Sequence, residues 1–177
     1  GFVVAEPFGT KAINEGISDL MFFSGELWEN HPCCVVAFRD EFINAHTDAV
    51  YEFVQMLVQA GQFIEQEPKA AARLAYEFLD PNKAMNLSIP IFESVLTQPA
   101  GIRTGDLFPI IEDLDKIQRY MAEKMGIGNI LDLEKFVDIR FAEAACRNMP
   151  PIRSDSKIHG AAHIIANVIN RNISRNI

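Results

Sequence analysis

Three groups of residues carry side chains that could do chemistry. The first is His31-Pro32-Cys33-Cys34, which opens the apolar run 35–38. Imidazole and thiolate are ligands for zinc and for softer ions, so the cluster invites a metal reading. Its spacing argues the other way. No Cys-x-x-Cys occurs, and in a strand adjacent side chains point to opposite faces, so Cys33 and Cys34 could not easily share one ion. The expectation is no metal and no cofactor, with two small residues buried at the entry of a strand, since free cysteine buries readily. Trp28 and His31 would then stand at the rim of a cleft, where an aromatic ring can cover a ligand.

The second group is Glu6-Pro7-Phe8, followed by Gly9 and Thr10. It reads as the exit of a strand into a helix start. In open α/β sheets ligands bind outside the carboxyl ends of strands, and free N–H groups around Gly9 and Thr10 would suit an anion. Two readings of Glu6 stand. It lines a ligand cleft and accepts a hydrogen bond there, or it caps the local backbone.

The third group is His159 and His163, four apart and so on one helical face. Gly160 stands where a zinc protease carries its glutamate, and no third ligand follows. A structural role is expected. Glu112, Asp113 and Asp115 read as a solvated helix face. No G-x-S-x-G, P-loop or G-x-G-x-x-G occurs, and the chain is read as a non-enzyme.

The elements that would hold these residues follow from periodicity and punctuation. Residues 2–5, 20–23 and 33–38 are short apolar runs and are expected to be strands. Residues 11–16 predict a short helix ended by Gly16. Val50, Phe53, Val54, Leu57, Val58, Gly61 and Ile64 form one stripe on a helix over 47–66, with Thr47 as its N-cap. Pro68 opens a second helix, and residues 89–97 a third. Asp106 would cap a helix running through Met125, stopped by Gly126 and Gly128. Residues 131–146 fit helix and strand equally. After Pro150-Pro151 comes a last amphipathic helix, over 156–173. The expected fold class is α/β, a small sheet with many flanking helices.

Composition bounds the partners. The chain has 177 residues and a net charge of −8, which argues against a nucleic-acid surface. From Arg147 onward the balance reverses, with Arg147, Arg153, Lys157, Arg171 and Arg175 against the single acid Asp155. A basic tail helix over 151–177 is expected to dock on the acidic body. Three cysteines, Cys33, Cys34 and Cys146, permit one bridge and no disulfide scaffold. No stretch is long and apolar enough to span a membrane. The opening "GFVVAEP" reads as the middle of a buried strand, so a fragment is expected.

Three stretches together carry a resemblance. "VVAEPFGTKAINEG", the block from "ELWENHPCCVVAFRDEF" to "GQFIEQEP", and "LDLEKFVDIRF" resemble, in order and spacing, extracytoplasmic solute-binding proteins of the nitrate/sulfonate/taurine type. This is the NMT1/THI5-like group of periplasmic binding proteins. The resemblance covers about residues 1–146. It implies a periplasmic-binding-protein-like (type II) fold of two α/β lobes closing on a small anionic or polar solute. Residues 1–150 would be a partial solute-binding domain from the later part of such a protein. It implies a periplasmic or extracytoplasmic location, an ABC permease as partner, and Glu6, Pro7, Phe8, Thr10, Trp28 and His31 as ligand-binding residues. A fragment with half a cleft is expected to pair with itself as a homodimer. Two other readings share the resemblance. One is a pyrimidine-synthesis-type enzyme using His31 and a cysteine, although the cysteine-rich signature of that group is missing. The other is a ligand-sensing domain of the same fold.

Overall fold

The computed structural model describes residues 1–147. The expected tail helix, the Pro150-Pro151 break and the His159/His163 pair lie outside the described residues. The described residues form helices α1 (Phe8–Asn14), α2 (Ser24–Leu27), α3 (Asp40–Ala45), α4 (Thr47–Gln66), α5 (Pro68–Leu79), α6 (Ile89–Thr97), α7 (Ile111–Arg119), α8 (Leu133–Phe136) and α9 (Arg140–Arg147). A single π-helical turn, Tyr120–Lys124, continues α7.

No β-strand occurs among the described residues, and this corrects the expected α/β class with its small sheet. Residues 2–5, 20–23 and 33–38 are extended, but no neighbouring segment bonds to them in a ladder. Their branched and aromatic side chains favour a pleated, half-buried surface, which is a property of the neighbours as much as of the segment. Here the neighbours are helices packed on one another. The three runs lie on the surface, with Val3 98% and Met21 89% exposed.

The helical expectations fare differently. α4 and α5 occupy 47–66 and 68–79, with Pro68 as the first residue of α5. Residues 131–146 resolve as α8 and α9. Thr47 is not the N-cap of α4. That position is His46, and the Thr47 hydroxyl donates to the Ile43 carbonyl at 2.7 Å, tying α3 to α4. The helix expected from Asp106 starts later, at Ile111, because the Asp106 carboxylate accepts the Phe108 N–H at 3.1 Å in a local turn. Gly16, Gly126 and Gly128 take positive φ and end their helices as expected.

Two packing centres hold the helices. In one, Ala72 of α5 meets Leu87, Ile91, Phe92 and Val95, with Tyr76, Met85 and Leu96 around them. Burying a side chain such as Ile91 or Phe92 contributes roughly 1.5–3 kcal/mol. In the other, α9 lies on α4, with Tyr51 against Phe141 at 4.6 Å between ring centres. Ala142 and Ala145 are buried in α9 and, being small, let its backbone come close.

The α5–α6 connection turns on Asp80, only 2% exposed. Its two carboxylate oxygens accept the N–H groups of Met85 and Leu87, each at 3.0 Å. Those bonds hold its carboxyl below the usual range. They fix the turn that delivers Leu87 into the core.

A third constraint sits at Gly61 in α4. The Thr104 hydroxyl donates to the Gly61 carbonyl at 2.8 Å, and the Thr104 N–H to Glu65 at 2.8 Å. A methyl group at position 61 would run into the Thr104 carbonyl and the Leu107 side chain. A helix-interior glycine is otherwise unfavourable by about 0.5–1 kcal/mol. Here it permits the 98–110 loop to lie directly on α4.

Gly61→Ala therefore lowers stability, by about 1–3 kcal/mol as an overpacking change, and a shift of the urea midpoint to lower concentration measures it. An unchanged or raised midpoint shows that the loop yields freely. The lowered carboxyl of Asp80 gives a second expectation. Its contribution is complete above the unfolded value of about 3.9 and is lost as pH falls through the lower folded value. Asp80→Asn should lower the urea midpoint at neutral pH and flatten its decline on acidification below about pH 4. Parallel pH profiles for the two proteins refute this role.

Candidate functional site

Glu6 precedes α1 and closes on it. Its carboxylate accepts the Thr10 N–H at 3.0 Å on one oxygen and the Thr10 hydroxyl at 3.1 Å on the other. Gly9 passes beneath, and a Cβ there would stand 3.2 Å from the Glu6 oxygen. Thr10 and Pro7 are buried, and Phe8 is half exposed. The N–H at Thr10, which the sequence suggested for an anion, is thus engaged by the chain's own carboxylate. A carboxylate placed against a helix start from the preceding segment is also favourable to the helix, by about 0.3–1 kcal/mol. Each carboxylate oxygen has a second lone pair available to an outside donor.

Trp28 and His31 form a second group at the exit of α2. The Phe23 N–H donates to Glu26 at 2.9 Å, which fastens the start of that short helix. His31 Nδ1 lies 2.8 Å from the Trp28 carbonyl. A carbonyl only accepts, so Nδ1 carries the proton, and Nε2 of the neutral ring is left as an acceptor. The two rings stand 5.9 Å apart. The Lys116 ammonium of α7 sits over the indole at 3.8 Å from its centre. That is a cation–π contact of about 0.5–1 kcal/mol at a partly exposed site.

Beside this group, residues 25–30 face the 99–103 loop across a cleft of about 250 Å³. Gly25 allows the approach, because a Cβ there would overlap the Ala100 carbonyl. Glu26, Glu29 and Asn30 line one wall and Arg103 the other. The Arg103 guanidinium donates to the Pro99 carbonyl at 2.6 Å and lies 3.9 Å from Glu65. A larger concavity, about 440 Å³, is lined by the six consecutive residues 44–49 at the α3–α4 corner. It is an open bend of one segment, whereas the smaller cleft is walled by two segments far apart in sequence, the better arrangement for holding a solute.

The six residues singled out in the sequence therefore fall into two groups, one at the start of α1 and one after α2. No hydrogen bond or ring contact joins the groups among the described residues. α6 is the element they share: α1 packs on it, and the 99–103 loop follows from its end. Lys116 and Arg103 were missed in the sequence. Lys116 meets Trp28, and Arg103 meets Glu65, across a long separation, and only the glycines Gly25 and Gly101 hinted at a close approach there.

Cys33 and Cys34 need a correction. They are exposed, not buried, and they do not lie in a strand. The opposite-face argument therefore lapses. The Cys34 thiol donates to the Cys33 sulfur, with 3.7 Å between them. The hydrogen bond with Cys34, the charge of that neighbouring thiol and partial burial push the Cys33 thiol up. Cys146 is a free thiol on α9.

Comparison with known proteins gives a consistent picture. Residues 1–79 match the NMT1-like family. Sixty-six residues are 27% identical to the nitrate/nitrite binding protein NrtA of Nostoc sp. (strain PCC 7120), a stretch covering 37% of this chain and 15% of that protein. Over 123 residues the chain is 23% identical to the NrtA of Synechocystis sp. (strain PCC 6803), covering 69% of this chain and 26% of that one. The matches thus span only 15% and 26% of the length of these relatives. No solved structure matches. The resemblance read in the sequence is borne out.

Proposed function

We propose that this chain, whose residues 1–79 match the NMT1-like family, is part of the extracytoplasmic solute-binding component of an ABC importer. The solute is a small anionic or polar molecule, of the nitrate, sulfonate, bicarbonate or pyrimidine-like kind. The whole protein holds it by closure around it and makes or breaks no bond. One observation carries this reading: the family match contains all six candidate residues, Glu6, Pro7, Phe8, Thr10, Trp28 and His31. The two relatives named as nitrate/nitrite binding proteins support the same class of ligand. The partner of the whole protein would be a membrane permease. No helix among the described residues is long and apolar enough to cross a membrane.

The chemistry of the site fits a polar solute. Glu6 is pinned to Thr10 and offers acceptor lone pairs at the start of α1. Lys116, Arg103 and the free nitrogen of His31 supply positive or polar groups near the second cluster. In this reading Trp28, already steadied by Lys116, forms a wall for the solute. The chain by itself leaves apolar surface uncovered at Phe2, Val3, Leu20, Met21 and Val35, and a second copy is the partner proposed for it in isolation.

Glu6→Gln separates the two roles of this residue. The amide oxygen still accepts the Thr10 N–H and the amide nitrogen can donate to the Thr10 hydroxyl, so the cap survives while the charge is lost. Calorimetry on the full-length protein should show solute affinity weakened by about 1–3 kcal/mol, with the melting temperature nearly unchanged. Unaltered affinity removes Glu6 from the site. Light scattering on the 177-residue chain should give a dimer or larger at micromolar concentration; a monomer near 19.8 kDa shows that the exposed apolar runs need no second copy.

A further inference from the structure

The adjacent thiols Cys33 and Cys34 are surface groups on an extended segment, and nothing in a solute-binding role uses them. Their sulfurs lie 3.7 Å apart and are both exposed. Neighbouring Cα atoms stand about 3.8 Å apart across a trans peptide, whereas ordinary disulfides span roughly 4.4–6.8 Å. Closing this pair into a disulfide is therefore strained. Joining the two sulfurs through one further atom is not, because no S–S bond has to form. Among the described residues no group of three or more His, Cys, Asp or Glu is placed to hold a metal ion, and zinc in a protein site takes three or four such ligands. The acceptor that fits is one satisfied by two thiolates alone.

We propose that Cys33 and Cys34 form a two-thiol chelate for trivalent organoarsenicals, a thiophilic class in which arsenic carries one organic group and two exchangeable bonds. With an organoarsenic(III) oxide the step balances without redox chemistry. Two S–As bonds form, the As=O bond breaks, and its oxygen leaves as water with the two thiol protons. Arsenic remains trivalent and both sulfurs remain in the thiolate oxidation state. The raised Cys33 thiol is consistent with the pair acting as a unit, since a second thiolate beside the first is disfavoured until an electrophile neutralises both. The exposed extended segment leaves room for the ring that closes through arsenic.

Phenylarsine oxide is the probe. The reduced 177-residue chain, freed of added thiol, is titrated with it and measured by intact mass and by thiol counting in denaturant. The expected result is one phenylarsenic group per chain and loss of two of the three free thiols, reversed by excess dithiol and resisted by an equal concentration of monothiol. Cys33→Ser and Cys34→Ser should each weaken retention at least ~100-fold, because the second contact is intramolecular. Cys146→Ser should leave it unchanged. Circular dichroism of the variants checks that the helices persist, as expected for serine at exposed extended positions. Tight retention by either single variant of the pair, or loss of retention in Cys146→Ser, overturns the assignment.

Discussion

A buried carboxylate with both oxygens spoken for is the constraint on which this fold turns. A charge taken out of water is costly unless hydrogen bonds replace the lost hydration. Asp80 meets that requirement with the N–H groups of Met85 and Leu87, so the turn after α5 can close only one way. The closure sets where α6 begins and which of its faces meets α5. α6 then carries α1 on its surface and feeds the 98–103 loop. Asn86, from the same turn, reaches back to Glu15 at 3.4 Å, just beyond α1. Both groups of candidate residues thus inherit their positions from an interaction that neither of them takes part in.

The other organising feature is the absence of side chains at two crossings. Gly61 admits the backbone of Thr104 to the surface of α4, and Gly25 admits the carbonyl of Ala100 beside α2. Both contacts belong to the loop between α6 and α7, so that loop is held at two places by backbone approach. Gln118 makes a comparable clamp further on, donating to the Leu131 carbonyl and accepting its N–H. Asp115, which orients Gln118 and pairs with Arg119 at 2.7 Å, has its carboxyl held low mainly by the Gln118 amide and then by that arginine. The acidic face of α7 is therefore partly a structural network, where the sequence suggested solvated charge.

Helices with a long stripe and firm punctuation were legible in the sequence. α4 shows its apolar positions every three or four residues, and Pro68 marks the start of α5 without ambiguity. The lack of strands among the described residues was not legible, because a run such as Val35-Val36-Ala37-Phe38 announces a preference for burial and says nothing about whether a partner exists. The caps at Thr47 and Asp106 failed for a related reason: both side chains found nearer bonding partners, at Ile43 and Phe108. At the candidate site the local piece was readable, since Glu6 and Thr10 lie one helical turn apart. The contact of Lys116 with Trp28 joins residues 88 positions apart, and no periodicity encodes it. The π-helical turn at Tyr120–Lys124 was equally hidden. Met121 within that turn and Met125 just after it are exposed.

Trp28 is the only tryptophan in the chain. Its indole lies between the segment after α2 and the ammonium of Lys116 on α7, with His31 alongside. Light absorbed by tryptophan is therefore absorbed at one seam of the molecule and emitted from it. The tryptophan fluorescence of this protein is a local signal: it reports the surroundings of the indole where the segment after α2 meets α7, and movements elsewhere that leave that seam intact do not change it.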